Sequence, residues 1–361
     1  MSDKKEKQIF NNLTEVNFQN KIEDLIITKF ISKTEVHSIL SINFGNFSDK
    51  WFKFLTSWTF NAYTSFKDMD KYLILIFLIQ KTLKHYLDIA ISYNYETFYN
   101  EKNQFEIEKI NLIEIADELK IPKETIRRKI NEMELAGIIK RKGKKIFITR
   151  EAFEYQKPTK TIKEISNFLS LVSKYLSTQD WFGEAKTSDN LENFIKNNFT
   201  RIWVHFLNFI IGLCVRQRFF YGDLETYIVS GTVYINQAAR LKKIYTNQQI
   251  SDESQKFNDL GEKNYIKWIK KVVLTKEKIL GINASSVSEI TGIPRATVIR
   301  KLRLSEKRGL IIKNKNQLYT IGKKTKTHLR VLIELFAQNQ IGLSKFITTF
   351  FEIYKNKQIS K

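Results

Sequence analysis

The 361-residue chain carries 60 Lys and Arg against 38 Asp and Glu, a formal net charge of +22, with one cysteine and three prolines. That length allows two or three domains, each with its own core. The lone Cys214 excludes an internal disulfide and, inside the apolar run IIGLCV, reads as a buried, inert thiol. An AT-rich genome writes Lys into any protein, but an excess of positive over negative charge points to a polyanionic partner, nucleic acid or an anionic surface.

In chain order, Ile22, Leu25, Ile26 and Phe30, then Phe52, Leu55 and Thr59, then Tyr72, Leu75, Ile76, Ile79 and Leu83 recur at helical spacing. Asp68-Met69-Asp70 reads as a helix N-terminal cap without partners. LIEIADEL (112–119) is predicted to be a short helix with Asn111 as N-cap and Glu114 three residues on. Pro122 restarts a second helix, in which Ile126, Ile130 and Met133 face inward. Glu124, Arg128, Asn131 and Leu135 face outward, flanked by Lys123 and Arg127. Gly137 ends that helix, and IIKRKGKKIFIT follows as a hairpin with a cationic tip. Ile162, Ile165, Phe168, Leu169, Val172 and Leu176 predict a helix just past Pro158, and the polar stretch Thr178–Asn198 reads as a boundary. Leu329, Leu332, Ile333 and Phe336 predict a final helix.

Residues 293–321 restate 121–149 at an offset of 172 without a gap, with Ile121/Ile293, Pro122/Pro294, Thr125/Thr297, Arg128/Arg300, Lys129/Lys301 and Gly137/Gly309 identical. In this second copy Ser285 or Ser286 is the expected N-cap. Val298 and Leu302 point inward, and Ala296, Arg300, Arg303 and Lys307 outward. Upstream, NFSDKWFKFL (46–55) matches NFTRIWVHFL (198–207) at an offset of 152, pairing Trp51 with Trp203. Two matches in one order argue for duplication, with about twenty extra residues in the second copy, placed at Thr246–Lys263. Repeated aromatic core packing is the plain reading of Trp51 and Trp203, with a small-molecule pocket as the alternative.

Lys120–Lys145 holds ten basic and three acidic residues, and Pro294–Lys315 eight and one, so each segment is net +7. Helix, turn, helix, glycine and basic hairpin, occurring together and twice, resemble the winged helix-turn-helix domains of bacterial transcription regulators. The resemblance covers about 45 residues in each copy. It implies a mainly α fold with small β wings, internally duplicated, with two winged helix-turn-helix domains on a helical scaffold. The expected layout is an N-terminal helical segment (1–45), a first unit (46–155, winged helix about 104–150), a connecting helix and linker (156–197), a second unit (198–323, winged helix about 280–322) and a C-terminal helical segment (324–361). Ser305 replaces the apolar residue usual before Glu306, which predicts looser packing of the second reading helix.

The resemblance further implies double-stranded DNA as partner, read through Lys123, Glu124, Thr125, Arg127, Arg128, Asn131, Arg141, Lys142, Lys144 and Lys145 in the first unit. In the second the set is Arg295, Thr297, Arg300, Arg303, Lys313 and Lys315. The expected function is sequence-specific regulation of transcription by a single-chain pseudo-dimer, either a monomer with a pseudo-two-fold or a homodimer. The alternatives are a replication initiator and a winged-helix assembly factor.

Catalysis finds no constellation in this sequence. His37, His85, His205 and His328 are scattered, and no glycine-rich phosphate loop occurs, so neither an enzyme nor a metal or other cofactor is expected. The apolar runs Tyr72–Ile79 and Phe206–Val215 fall short of the roughly 20 residues that cross a bilayer. With no signal-peptide pattern in MSDKKEKQIF, the expected location is the cytoplasm, at the nucleoid, away from membranes.

Overall fold

The structure, a computed structural model, describes residues 32–101, 104–106, 111–142, 145–149, 151–152, 157–178, 183–247, 266, 269–270, 272–273, 281–321 and 329–359. It is mainly helical with a few short strands. The elements are α1 (Lys33–Ile42), α2 (Phe44–Phe66), α3 (Met69–Asp88), a π-helical turn (Thr97–Glu101), β1 (Gln104–Glu106), α4 (Leu112–Leu119), α5 (Lys123–Leu135), β2 (Ile139–Lys142), β3 (Lys145–Thr149), α6 (Thr159–Ser177), α7 (Ser188–Asn197), α8 (Phe199–Tyr221), α9 (Leu224–Asn247), α10 (Ala284–Thr291), α11 (Arg295–Lys307), β4 (Ile312–Lys313), β5 (Tyr319–Thr320) and α12 (Leu329–Ile359). The predicted helix around Ile22–Phe30 lies outside the described residues.

Local chemistry sets the helix starts, and the same chemistry recurs at a spacing of 155 residues. Ser32 Oγ accepts from Glu35 N–H at 3.1 Å to open α1, and Thr187 Oγ1 accepts from Asn190 N–H at 3.2 Å to open α7. Asn43 and Asn198 join each of these helices to the next, their side-chain amides donating to Ile39 O at 3.0 Å and Phe194 O at 3.1 Å. Asp68 caps α3 and Asp223 caps the start of α9, accepting from Lys71 N–H at 3.0 Å and Thr226 N–H at 2.7 Å. Each such side chain satisfies a backbone group that the helix end leaves orphaned.

That spacing corrects the offset of 152. Phe44 corresponds to Phe199 and Phe66 to Tyr221, the ends of two 23-residue helices. Trp51 therefore corresponds to Phe206, and Trp203 to Ser48. Counted from the helix ends, the upstream and downstream offsets differ by the difference between 172 and 155, 17 residues, against about twenty expected from the sequence matches. Most of Thr246–Lys263, its expected place, lies outside the described residues. The polar stretch Thr178–Asn198, expected as a boundary, contains α7, a ten-residue helix burying Leu191 and Ile195.

The core is continuous across the chain. α2 and α8 meet through Phe54 and Phe206, with ring centroids 6.1 Å apart edge to face, and through Trp51 and Phe209 at 5.8 Å. Trp58 donates its indole N–H to Tyr72 Oη at 2.6 Å, which satisfies both groups inside the core. α6 packs on α2 and α7, while α12 packs on α8 and α1, so each long helix ties the two parts of the chain together. α8 is long and apolar enough to cross a membrane by length and composition, yet it packs against α3, α9 and α12, with 61% of its apolar window buried. Cys214 on α8 is buried, and burial pushes its thiol up to about 12, so it stays neutral.

Candidate nucleic-acid interface

α4 and α5 form a helix–turn–helix. Asn111 Oδ1 accepts from Glu114 N–H at 2.8 Å, and the Glu114 carboxylate reaches Lys81 of α3 at 3.1 Å instead of returning to the cap. Lys120 closes α4 in the left-handed region (φ 53°), and Pro122 (φ −54°, ψ 135°), expected as the first helical residue, is the N-cap, so that α5 begins one residue later at Lys123. Ile126, Ile130 and Met133 are fully buried. Gly137 leaves α5 at φ +73°, a conformation that costs a side-chain-bearing residue more than glycine. β2 and β3 then pair antiparallel, with Ile139 opposite Ile148 and Lys142 opposite Lys145. A third strand, β1, which the sequence did not announce, pairs with β3.

α10 and α11 repeat the arrangement. Asn283, not Ser285 or Ser286, is the N-cap, accepting from Ser286 N–H at 2.8 Å; it stands 172 residues after Asn111. Gly292 takes the place of Lys120 at φ +69°. A Cβ there would also lie 2.9 Å from Thr64 Cγ2 of α2, so the site needs glycine for space as well as for φ. Pro294 (φ −53°, ψ 136°) and Gly309 (φ +73°) match Pro122 and Gly137. β4 pairs with β5, and Ile282 makes a single bridge to Tyr319.

The identical lysines Lys129 and Lys301 lie on the inner sides of α5 and α11. Lys129, its side chain 11% exposed, pairs with Asp68; Lys301, 10% exposed, meets Asp223 at 2.6 Å. Each partner is the cap of a scaffold helix. Asp68 and Asp70 thus have the partners that the sequence reading denied them, Asp70 taking Arg218 Nε at 3.2 Å. Burial alone would raise the Asp223 carboxyl, but hydrogen bonds from Lys301 and the Thr226 amide, with the Lys301 charge, outweigh it and hold the group below the ordinary Asp range. Met69 N–H donates to Glu225 Oε1 at 3.0 Å, so the capped ends of α3 and α9 touch and the two clamps lie close together. Each turn also leans on the other half: Arg218 of α8 donates to Lys120 O at 2.9 Å, and Gly292 packs on Phe60 and Thr64 of α2.

The outward sets differ. On α5, Lys123, Glu124, Arg127, Arg128 and Asn131 are exposed and Thr125 is half-buried. Arg127 is tied to Glu124 at 2.8 Å, and that hydrogen bond holds the Glu124 carboxyl below its usual range. Arg128 is 3.8 Å from Glu132, which also holds Lys71 at 2.6 Å. Arg141 of β2 donates to Glu134 Oε2 at 2.7 Å and to Asn131 Oδ1 at 2.9 Å, which pins the hairpin to α5. Lys142 lies over the Phe147 ring at 5.8 Å. Lys144 lies outside the described residues, and Lys145 is described through its backbone pairing.

On α11, Arg295, Arg300 and Arg303 are exposed, with Thr297 half-buried. Arg295 donates to Ser285 Oγ at 3.0 Å. Among the described residues Arg300 and Arg303 have no acidic partner within 4.0 Å. Lys313 lies over the Tyr319 ring at 5.7 Å, and Lys315 is exposed at the turn. Arg308 is structural, donating to Tyr221 O and Phe220 O at 2.5 Å. Ser305, expected to loosen α11, is fully buried and shares a 2.7 Å hydrogen bond with Ser230 of α9, so a polar contact replaces the apolar one. Sequence reasoning missed this pair and both lysine clamps, although Lys129/Lys301 at 172 and Asp68/Asp223 at 155 recur together. Among the described residues no group of His, Cys, Asp and Glu could hold a metal ion. No protein family, curated protein or solved structure matches the chain.

Proposed function

We propose that this protein binds double-stranded DNA through two winged helix-turn-helix units, α4–β3 and α10–β5, that arose by duplication, and that it regulates transcription as a single-chain pseudo-dimer. One observation carries the reading. In both units the inner lysine of the second helix is locked to a scaffold helix cap, while the arginines one residue earlier, Arg128 and Arg300, are exposed on the outer face. Outward arginines on the second helix of such a motif are placed to take guanine O6 and N7 or nearby phosphates. On β2, Arg141 and Lys142 are exposed, which supports a role in backbone contact. The contact between the two clamped helix starts supports presentation of the two helices to one duplex.

The test is selection from a random duplex pool by the full chain, followed by affinity measurement across a salt series. A selected motif with affinity falling steeply in salt is expected. Failure to retain any duplex at moderate salt would overturn the reading in favour of a protein-assembly role, and an origin-like array of repeated sites would favour replication initiation over promoter control.

A further inference from the structure

Between α2, α8, α9 and α12 lies a cavity of about 100 Å³ lined by Trp51, Tyr221, Tyr227 and Phe336, with Gln217 and Gln340 in its wall. None of its described lining residues carries a charge. Gln217 and Gln340 are each 4% exposed, and neither carboxamide oxygen has a hydrogen-bond partner. A buried acceptor left unpaired costs roughly 1–3 kcal/mol, and a donor-bearing occupant of the space they line would remove that cost. An apolar cavity of roughly 150 Å³ takes a benzene, so this one admits a single ring at most.

We infer that this cavity binds a small, uncharged single-ring molecule bearing an O–H or N–H group, which donates to one of the Gln217 and Gln340 carboxamide oxygens while its ring packs among the aromatic side chains. The ligand is neutral because, among the described residues, no cation lines the space to meet an anion and no carboxylate to meet a cation. α9 gives the site a route outward. Its Tyr227 faces the cavity, whereas its Ser230 bonds Ser305 of α11 at 2.7 Å and Asp223, capping its start, holds Lys301 of α11. Occupation of the cavity therefore bears on the seat of α11. This second step rests on the DNA-binding reading; the site itself does not.

The experiment uses the full chain with phenol, benzene and benzoate as probes, read by calorimetric titration and thermal unfolding without DNA. Phenol is expected to bind saturably at one per chain, benzene about tenfold more weakly because it leaves unpaired the amide oxygen that the phenol hydroxyl meets, and benzoate not at all. Gln217→Leu, and Gln340→Leu as a second variant should the first fail to fold, are expected to abolish the preference for phenol over benzene. No saturable phenol binding, equal binding of phenol and benzene by the unaltered chain, or a preference that survives both substitutions overturns the site. Adding the selected duplex then tests the coupling alone: phenol saturation should change duplex affinity severalfold, and an unchanged affinity overturns the link to α11 while the DNA-free titration still stands.

Discussion

Lys301 Nζ meets Asp223 Oδ2 at 2.6 Å while the same carboxylate caps the start of α9, so one acid fixes both a scaffold helix and the inner edge of a reading helix. Lys301→Met leaves the acid with its cap bond but without its cation, and should lower stability by about 1–3 kcal/mol. The pH dependence checks the assignment. Because the folded Asp223 carboxyl is held below its ordinary range, near 3.9 in model peptides, its contribution is present above that value and fades as pH falls through the lower folded one. Thermal unfolding from pH 7 down to 2 should show a shallower acid limb in Lys301→Met, and identical limbs would detach the clamp from acid stability.

The Ser230–Ser305 pair offers a cleaner energetic test. Ser305→Ala strands the Ser230 hydroxyl in the core and should cost about 1–3 kcal/mol. Removing both hydroxyls should recover a large part of that cost, because no unpaired donor remains. Denaturant titration of the two single variants and the double variant measures it; additive losses would mean the hydroxyls do not interact.

For duplex binding, Arg128→Ala and Arg300→Ala should each relax base preference in one half of the site by about 1–3 kcal/mol if each arginine contacts a guanine bidentately. Competition between the selected duplex and singly mismatched ones reads this out. Retained preference in both variants would make the arginines phosphate anchors.

Ion pairs within the first outward set predict an asymmetry. Arg127 and Arg141 are engaged with Glu124 and Glu134, whereas Arg300 and Arg303 have no acidic partner among the described residues. Arg303→Ala should therefore reduce the salt slope by about one unit, and Arg127→Ala by less. Glu124→Gln should strengthen binding to arbitrary duplex by freeing Arg127 and removing a charge that repels phosphate. Titrations at several salt concentrations decide between these slopes and equal ones.

The selected site should be bipartite with unlike halves and filled by one chain, because Lys123-Glu124 faces Arg295-Ala296, and Asn131 faces Arg303, at corresponding positions. Complex mass together with the selected motif tests this. A palindrome that requires two chains, each using one unit, would remove the pseudo-dimer.

The downstream pattern was legible because turn chemistry is local. Pro122/Pro294 and Gly137/Gly309 set the backbone wherever they stand, and the inward apolar residues kept their 3.6 period. The upstream register slipped because three residues are close to one helical turn, so an aromatic at 152 or at 155 falls on nearly the same face. Residue identity could not choose between the two. The caps could, since Asn43 and Asn198 each act at a single point. Asn283 was passed over for the serines after it, although its match to Asn111 was in the established offset. The clamps were hidden for another reason: each joins residues 61 or 78 positions apart, Asp68 to Lys129 and Asp223 to Lys301, and no local rule reaches that far.

The mutual leaning of each turn on the other half's long helix makes the protein a caliper rather than a hinge. With Lys120 held from α8 and Gly292 seated on α2, the gap between the two reading helices is a property of the core. A duplex offers its grooves every 10 to 10.5 base pairs, so one base pair inserted between the half-sites rotates the far half by roughly 35°. A jointed protein absorbs such a turn in its linker. If it binds DNA as proposed, this one would have to unpack its own centre to follow, so the spacing of the expected target would be set by the same aromatic contacts that hold the chain folded.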